Sequence, residues 1–454
     1  MALISAKTPQ TKKDIRREIA WLAFPAIGEM MLQMIVSMTD VAFVGRLGAN
    51  ELAAIGIATN IFFTLLFIFA AIGVGATAII ARAFGAGDAK QANYVAGQAF
   101  TLGLGIAAVA SLLGFFYAES LMGFFSRDPE VIAHGVAYLE VVALPSVFML
   151  VYFVMRGVVI GSGNTKLPLL LAVLISIINI TGNYVLIYGK WGFPRLGVAG
   201  AAWSTSLSLS VASLILIAVM FSGKIRVHLQ FRDVIRPHWQ TMKRILRLSI
   251  PAQLEELMRG GGNLLVTLII SLSMGALAYA AHTVAISVES LSFMPGIGFA
   301  IASTALVGQA LGAKLHERAE RIGWEATKMT VAVMSVFGLT FLVLSEPIVR
   351  LFTNDATVIP IAALLIKISA LEQPLMALEF VLAGALRGAG DTRWALYITL
   401  IGNWCIRIPG LLLVVFVFGG GIYAIWVVFV IDWLIRASIA VWRFRSGKWK
   451  TIDV

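Results

Sequence analysis

The sequence predicts an all-α polytopic membrane protein with twelve transmembrane helices in two parallel six-helix repeats. Three observations lead there. Of 454 residues, 59% are hydrophobic and only 13% charged, and the mean hydropathy is +0.90; about a quarter of a soluble domain is charged. Twelve apolar runs follow one another, each meeting the roughly 20 residues that a helix needs to cross a bilayer. Finally, the two halves of the chain align locally at a shift of 227 residues.

The runs lie near 19–44, 51–80, 91–117, 131–155, 167–188, 197–221, 245–272, 278–308, 321–344, 357–385, 394–418 and 421–442. With the N-terminus inside, the outer loops hold only Arg46, Arg127, Lys190, Arg195 and Arg350. Most other Lys and Arg fall in the N-terminal segment, the inner turns and the C-terminal end. This bias places both termini in the cytoplasm and the chain in the cytoplasmic (inner) membrane. It also accounts for the net charge of +11 without nucleic-acid binding. The single cysteine, Cys405, excludes an intramolecular disulfide and a cysteine metal site. The first run is of spanning length with no small-residue cleavage pattern after it, unlike a signal peptide.

Two six-helix lobes, 1–221 and 245–454, flank the longest polar connection, 222–244, SGKIRVHLQFRDVIRPHWQTMKR. Lys224, Arg226, Arg232, Arg236, Lys243 and Arg244 mark it as a cytoplasmic basic linker lying against anionic headgroups. At the 227-residue shift, ARAFGAGDAKQA (81–92) meets GQALGAKLHERA (308–319), and FVMRGVVIGSGNTK (153–166) meets FVLAGALRGAGDTR (380–393). Six spans, an even number, separate equivalent points, so the halves share one orientation. Such parallel repeats usually enclose a substrate cavity at their interface.

The first run, IAWLAFPAIGEMMLQMIVSMTDVAFV, carries Glu29, Gln33, Ser37 and Asp40 at steps of four, four and three. That spacing puts them on one helix face. Acids inside a span are costly and are kept for use or for pairing. Asp40 lies in the outer half without a basic partner at its depth, so it can bind and release a proton or cation. Asn179 and Asn183 in the fifth run, and Ser204 and Thr205 in the sixth, lie at similar depth. Together with Asp40 they form the expected cation-coupling set. Glu29 sits nearer the cytoplasmic face, where a snorkelling or interfacial role stands level with a functional one. Pro25 and Gly28 permit a bend in the same helix, which the ionisation state of Asp40 would bias.

Gln33, Met34, Ser37, Phe43, Met149, Tyr152 and Met155 are the expected cavity wall, with Glu372 and Glu379 from the second half. Polarizable methionines suit flat apolar ligands, and aromatic faces attract organic cations. Glu255 and Arg259 form an i, i+4 pair that neutralises itself. No G-x-x-x-x-G-K-[ST], H-E-x-x-H or G-x-S-x-G is present, and the five His lack ligand spacing. The chain is therefore expected to be no enzyme, to hold no metal or cofactor, and to draw on an ion gradient.

The sequence resembles the multidrug and toxic compound extrusion (MATE) transporters along essentially its whole length. The resemblance is carried by PAIGEMMLQMIVSMTDVAFVGRLGANELAAIGIA, GVGATAIIARAFGAGDAKQA and IPAQLEELMRGGGNLL. ALAYAAHTVAISVESLSFMPGIGFAIASTALVGQALGA and ALRGAGDTRWAL extend it through the second half. It implies two six-helix bundles around a V-shaped central cavity, with drug efflux driven by proton or sodium entry. The family's first-helix acid falls on Asp40, its fifth-helix polar residues on Asn179 and Asn183, and its sixth-helix hydroxyl on Ser204 or Thr205. Some members have an acid at the Asn183 position; its absence here favours protons over sodium. No second-half coupling acid aligns clearly, which places the chain in the DinF-like branch.

The leading expectation is a monomeric secondary antiporter exporting organic, mainly cationic or amphipathic drugs in exchange for protons, with sodium as the alternative ion. The competing reading is a flippase for a lipid-linked precursor. That reading would need a basic central cavity for pyrophosphate, and most Lys and Arg lie in cytoplasmic loops instead.

Overall fold

The computed structural model describes residues 11–45, 47, 54–62 and 71–454. These are nearly all helical, and no β-strand occurs among them. The first unit of packing, Gly28–Gln253, holds most of α1 (Lys12–Val44), α2 (54–62), α3 (Ile72–Gly85), α4 (Ala89–Phe116) and α5 (Ala118–Phe125). It continues with α6 (Pro129–Ala143), α7 (Ser146–Gly161), α8 (Lys166–Gly182), α9 (Val198–Phe221), α10 (Phe231–Ile235) and the start of α11 (Trp239–Ser273). The second unit comprises the residues before Gly28 together with Leu254–Val454. It contains α12 (Gly275–Gly312), α13 (His316–Val349), α14 (Val358–Ser369), α15 (Glu372–Gly388), α16 (Thr392–Leu400), α17 (Ile408–Leu412) and α18 (Ile422–Arg445).

The protein is a multi-pass membrane protein. Among the described residues, eight helices are long and apolar enough to cross a membrane, or up to ten spans if each of two bent pairs counts as one. Of the two predicted runs beyond these, 51–80 falls partly outside the described residues. The run 245–272 lies within the 35-residue α11, which carries Arg247, Glu255, Glu256 and Arg259. The bent pairs are α6–α7, at 58°, and α14–α15, at 51°. The fourth and tenth predicted runs are thus broken rather than straight. At the first break the freed carbonyl of Ala143 accepts from Ser111 Oγ and Ser146 Oγ, each at 2.6 Å. Such substitutes are what allow a helix to break at membrane depth.

The repeat seen in the sequence recurs in the packing. Thr77 Oγ1 bonds to Gly73 O and to Gly157 O, both at 2.7 Å. Its equivalent, Thr304 Oγ1, bonds to Ala300 O at 2.9 Å and to Gly384 O at 2.8 Å. The glycines let the helices approach: a Cβ at Gly157 would lie 2.8 Å from Gly73 O, and one at Gly384 would lie 2.6 Å from Ala300 O. Small residues at such crossings drive helix association where no hydrophobic effect operates.

α1 starts with a reciprocal cap. Thr11 N donates to Asp14 Oδ2 at 3.0 Å and Asp14 N to Thr11 Oγ1 at 3.3 Å, which satisfies amides left open at a helix start. In the second unit, Arg16 and Arg318 pair with Glu325 and Glu18 at 2.7 and 2.8 Å. The core of that unit gathers Ile270, Val288, Phe341, Leu365, Trp426 and Phe429. Its C-terminal end closes on itself, with buried Trp449 stacked on Phe444 at 4.6 Å and donating from Nε1 to Phe444 O at 2.7 Å.

Candidate functional site: an amide-bound carboxylate in the first unit

The site assembles from α1, the end of α8 and the first half of α9. After Gly182 the backbone passes into a single π-helical turn, Asn183–Ile187, of a kind that often marks functional positions. Gly182 and Gly200 bring this turn against α9, since a Cβ on them would meet Ser204 Oγ at 2.8 Å and Leu186 O at 2.7 Å. Asn183 is thereby aimed at α1. Its Nδ2 carries two hydrogens. It donates to Asp40 Oδ1 at 2.5 Å and to Asn179 Oδ1 at 3.1 Å. Asn179 Nδ2 donates in turn to Thr205 Oγ1 at 3.2 Å.

Asn179 and Asn183 are fully buried, Thr205 is 7% exposed and Asp40 is half-buried. No ion pair among the described residues includes Asp40, and Arg46 lies outside the described residues. The carboxylate is therefore held by neutral donors. Asn183 Oδ1 is buried and has no hydrogen-bond partner among the described residues. Chemically the cluster offers one ionisable oxygen donor set and neutral oxygens on Asn179, Asn183 and Thr205, suited to a proton or a small hard cation.

The structure thus brings Asp40, Asn179, Asn183 and Thr205 into one chain of bonds. Ser204 lies beside them, but its hydroxyl donates to Gly200 O at 2.8 Å within its own helix. Phe43 is fastened near the same end, where Tyr188 Oη donates to Phe43 O at 2.8 Å. Gln33 and Met34 are half-buried and Ser37 is exposed. Met149, Tyr152 and Met155 are fully buried within the unit. Sequence reasoning passed over Tyr138, buried in α6 and within electrostatic range of Asp40.

Glu29, for which an interfacial role stood level with a functional one, is fully buried and paired with Arg156 of α7. Removing either partner of such a pair leaves an uncompensated buried charge. Pro25 lies inside a helix that continues unbroken across it. In the second unit, Glu372 and Glu379 are each 1% exposed. The nearby arginines pair with other acids: Glu255 Oε1 takes Arg259 and Arg387 at 2.9 Å, and Asp432 takes Arg407 and Arg436 at 2.7 Å, while Glu372 Oε1 and both Glu379 oxygens have no hydrogen-bond partner among the described residues. Lys367 is exposed.

The MatE family profile matches residues 25–185 and 251–413, one match in each half. The chain belongs to the MatE family. A probable multidrug resistance protein NorM of Thermotoga maritima is 33% identical to this MatE protein over 441 residues, covering 96% of this chain and 94% of that one. The multidrug resistance protein PmpM of Pseudomonas aeruginosa is 28% identical over 400 residues, covering 87% and 82%. Among solved structures, the Vibrio cholerae MATE transporter VcmN in its bent form superposes with a TM-score of 0.87 at 21% identity, covering 96% of this chain and 97% of that one. A multidrug resistance MATE family transporter in an outward-facing conformation gives a TM-score of 0.89 at 23% identity, covering 97% and 99%. The members of this family are transporters rather than enzymes.

Proposed function

We propose that this MatE protein is a secondary antiporter that exports organic, mainly cationic or amphipathic compounds in exchange for protons, with Asp40 as the coupling group. The observation that carries the reading is a carboxylate inside a membrane-spanning helix, bonded by the Asn183 amide and by no cation among the described residues. A charge so placed is costly, and a proton removes it. Protonation also weakens the charge-assisted bond from Asn183, so α1 and the π-helical turn repack. Protons entering from outside then neutralise Asp40, the compound leaves outward, and deprotonation toward the cytoplasm resets the cycle. The names of the relatives support the substrate class, and the Lys and Arg distribution supports an inner-membrane location with cytoplasmic termini.

Sodium is the second reading, and one observation favours it. The unpartnered Asn183 Oδ1, with Asp40 and the side-chain oxygens of Asn179 and Thr205, makes an all-oxygen donor set. The test is efflux of a fluorescent cationic dye from proteoliposomes under an imposed pH gradient or an imposed sodium gradient. Transport driven by the pH gradient alone supports protons, and transport driven by sodium alone moves the assignment to the oxygen set. No dye movement under either gradient rejects the antiporter.

A further inference from the structure

The connection between α9 and α11 is a strap with two unlike sides. Leu229 N donates to Met220 O at 3.0 Å, turning the chain back on α9, and Val227 and Leu229 are buried beneath it. A row of polar side chains on α4 then holds the strap by its backbone. His228 N donates to Asn93 Oδ1 at 2.9 Å, and Thr101 Oγ1 donates to Val234 O at 2.8 Å. Gln98 Nε2 donates to Asp233 O at 2.7 Å and to Arg236 O at 3.0 Å, while Gln98 Oε1 accepts from His238 N at 2.7 Å. Gln98 is fully buried. Gly97 permits the approach, because a Cβ there would lie 2.9 Å from Asp233 Cβ.

The opposite side presents Phe231, Ile235 and Trp239, which are 71%, 57% and 67% exposed. Arg232, Arg236, Lys243 and Arg244 are exposed among them, and the one acid of the segment, Asp233, is only half-exposed. The strap begins at the end of α9, a helix long and apolar enough to cross a membrane, so this side stands near the boundary between lipid and water. Large apolar groups interleaved with cations at that depth match the acyl boundary and the phosphates of an anionic leaflet. A tryptophan among them fits the same depth.

We propose that the strap is a docking surface for anionic phospholipids of the surrounding membrane. Phe231, Ile235 and Trp239 enter the acyl boundary, and Arg232, Arg236, Lys243 and Arg244 hold the headgroup phosphates. The hydrogen bonds to α4 hold the strap in register so that lipid meets a preformed surface.

The test uses the full chain with Cys405→Ser and a nitroxide on Ile235→Cys. It is reconstituted in phosphatidylcholine vesicles with or without phosphatidylglycerol. Collision of the label with oxygen and with a water-soluble nickel chelate reports its depth. With phosphatidylglycerol present, oxygen accessibility should exceed that of the chelate several-fold. High salt, or joint replacement of Arg232, Arg236, Lys243 and Arg244 by Gln, should reverse the ratio. The salt arm needs no further variant, so misfolding of the fourfold variant leaves the test standing. A label equally open to the chelate in both vesicles would overturn the proposal. So would equal depth in both vesicles, which would leave the cations without a role, or equal protection by inorganic phosphate in place of the lipid.

Discussion

Replacing Gly388 by Ala should force α15 and α12 apart. A Cβ at Gly388 would lie 2.1 Å from Thr304 O and 2.8 Å from Thr304 C and Cα. Ordinary carbon–oxygen contact begins near 3.4 Å, so the helices must separate by about 1.3 Å (3.4 minus 2.1) if they keep their orientation. The obstacle is backbone, which cannot rotate out of the way. The same movement stretches the Thr304 Oγ1 to Gly384 O bond, now 2.8 Å, beyond bonding distance. Overpacking of this kind costs about 1–3 kcal/mol and the lost bond adds roughly 0.6 kcal/mol at membrane depth. At about 2–4 °C per kcal/mol, the thermal midpoint should fall by roughly 3–14 °C. The assay is thermal unfolding of the purified chain in detergent, read by the surviving monodisperse fraction. Gly105→Ala is the control, since nothing lies within 4 Å of a Cβ there. Equal midpoints for Gly388→Ala and Gly105→Ala would refute the argument that this crossing depends on backbone approach.

Glu29→Gln leaves Arg156 charged and only 15% exposed, and Arg156→Gln leaves Glu29 fully buried without its cation. Each should cost about 3–5 kcal/mol, while the double variant recovers much of the loss; a thermal double-mutant cycle showing simple additivity would contradict the pair. Pro25→Ala should lower transport while leaving the yield of folded protein unchanged, and full activity would remove the proposed bend of α1 from the mechanism. Trp449→Ala empties the space stacked on Phe444 and should destabilise the second unit by about 3–5 kcal/mol, whereas an unchanged midpoint would make the C-terminal closure incidental.

The helical fold and its repeat were legible because both leave local marks. Apolar runs of spanning length announce helices, and glycines at a fixed shift announce equivalent crossings such as Gly157 and Gly384. The grouping of Asp40, Asn179, Asn183 and Thr205 was legible for a related reason. Polar groups in a span are few, so those at one depth have little else to bond. Other features depend on partners distant in sequence. Nothing near Glu29 marks Arg156 as its partner, and an arginine close to a helix end reads as cytoplasmic until the packing buries it. Ser204 and Thr205 are neighbours with the same chemistry, and only the helix rotation decides which hydroxyl reaches Asn179. The broken fourth span carries a hint in Pro145, but its stability rests on Ser111, a helix away. The linker read as a basic segment lying against headgroups, but the clasp on its backbone was not legible, because the side chains that make it, Asn93, Gln98 and Thr101, belong to α4.

The most direct test of the central claim is counter-transport by Asp40→Asn in proteoliposomes under an imposed pH gradient. Dye efflux and proton uptake would be followed together, with equilibrium dye binding measured alongside. Asparagine keeps the shape of the side chain and cannot take up a proton. The account predicts loss of both fluxes with dye binding retained. Proton-coupled efflux at the unaltered rate would contradict it and place the coupling group elsewhere in the chain.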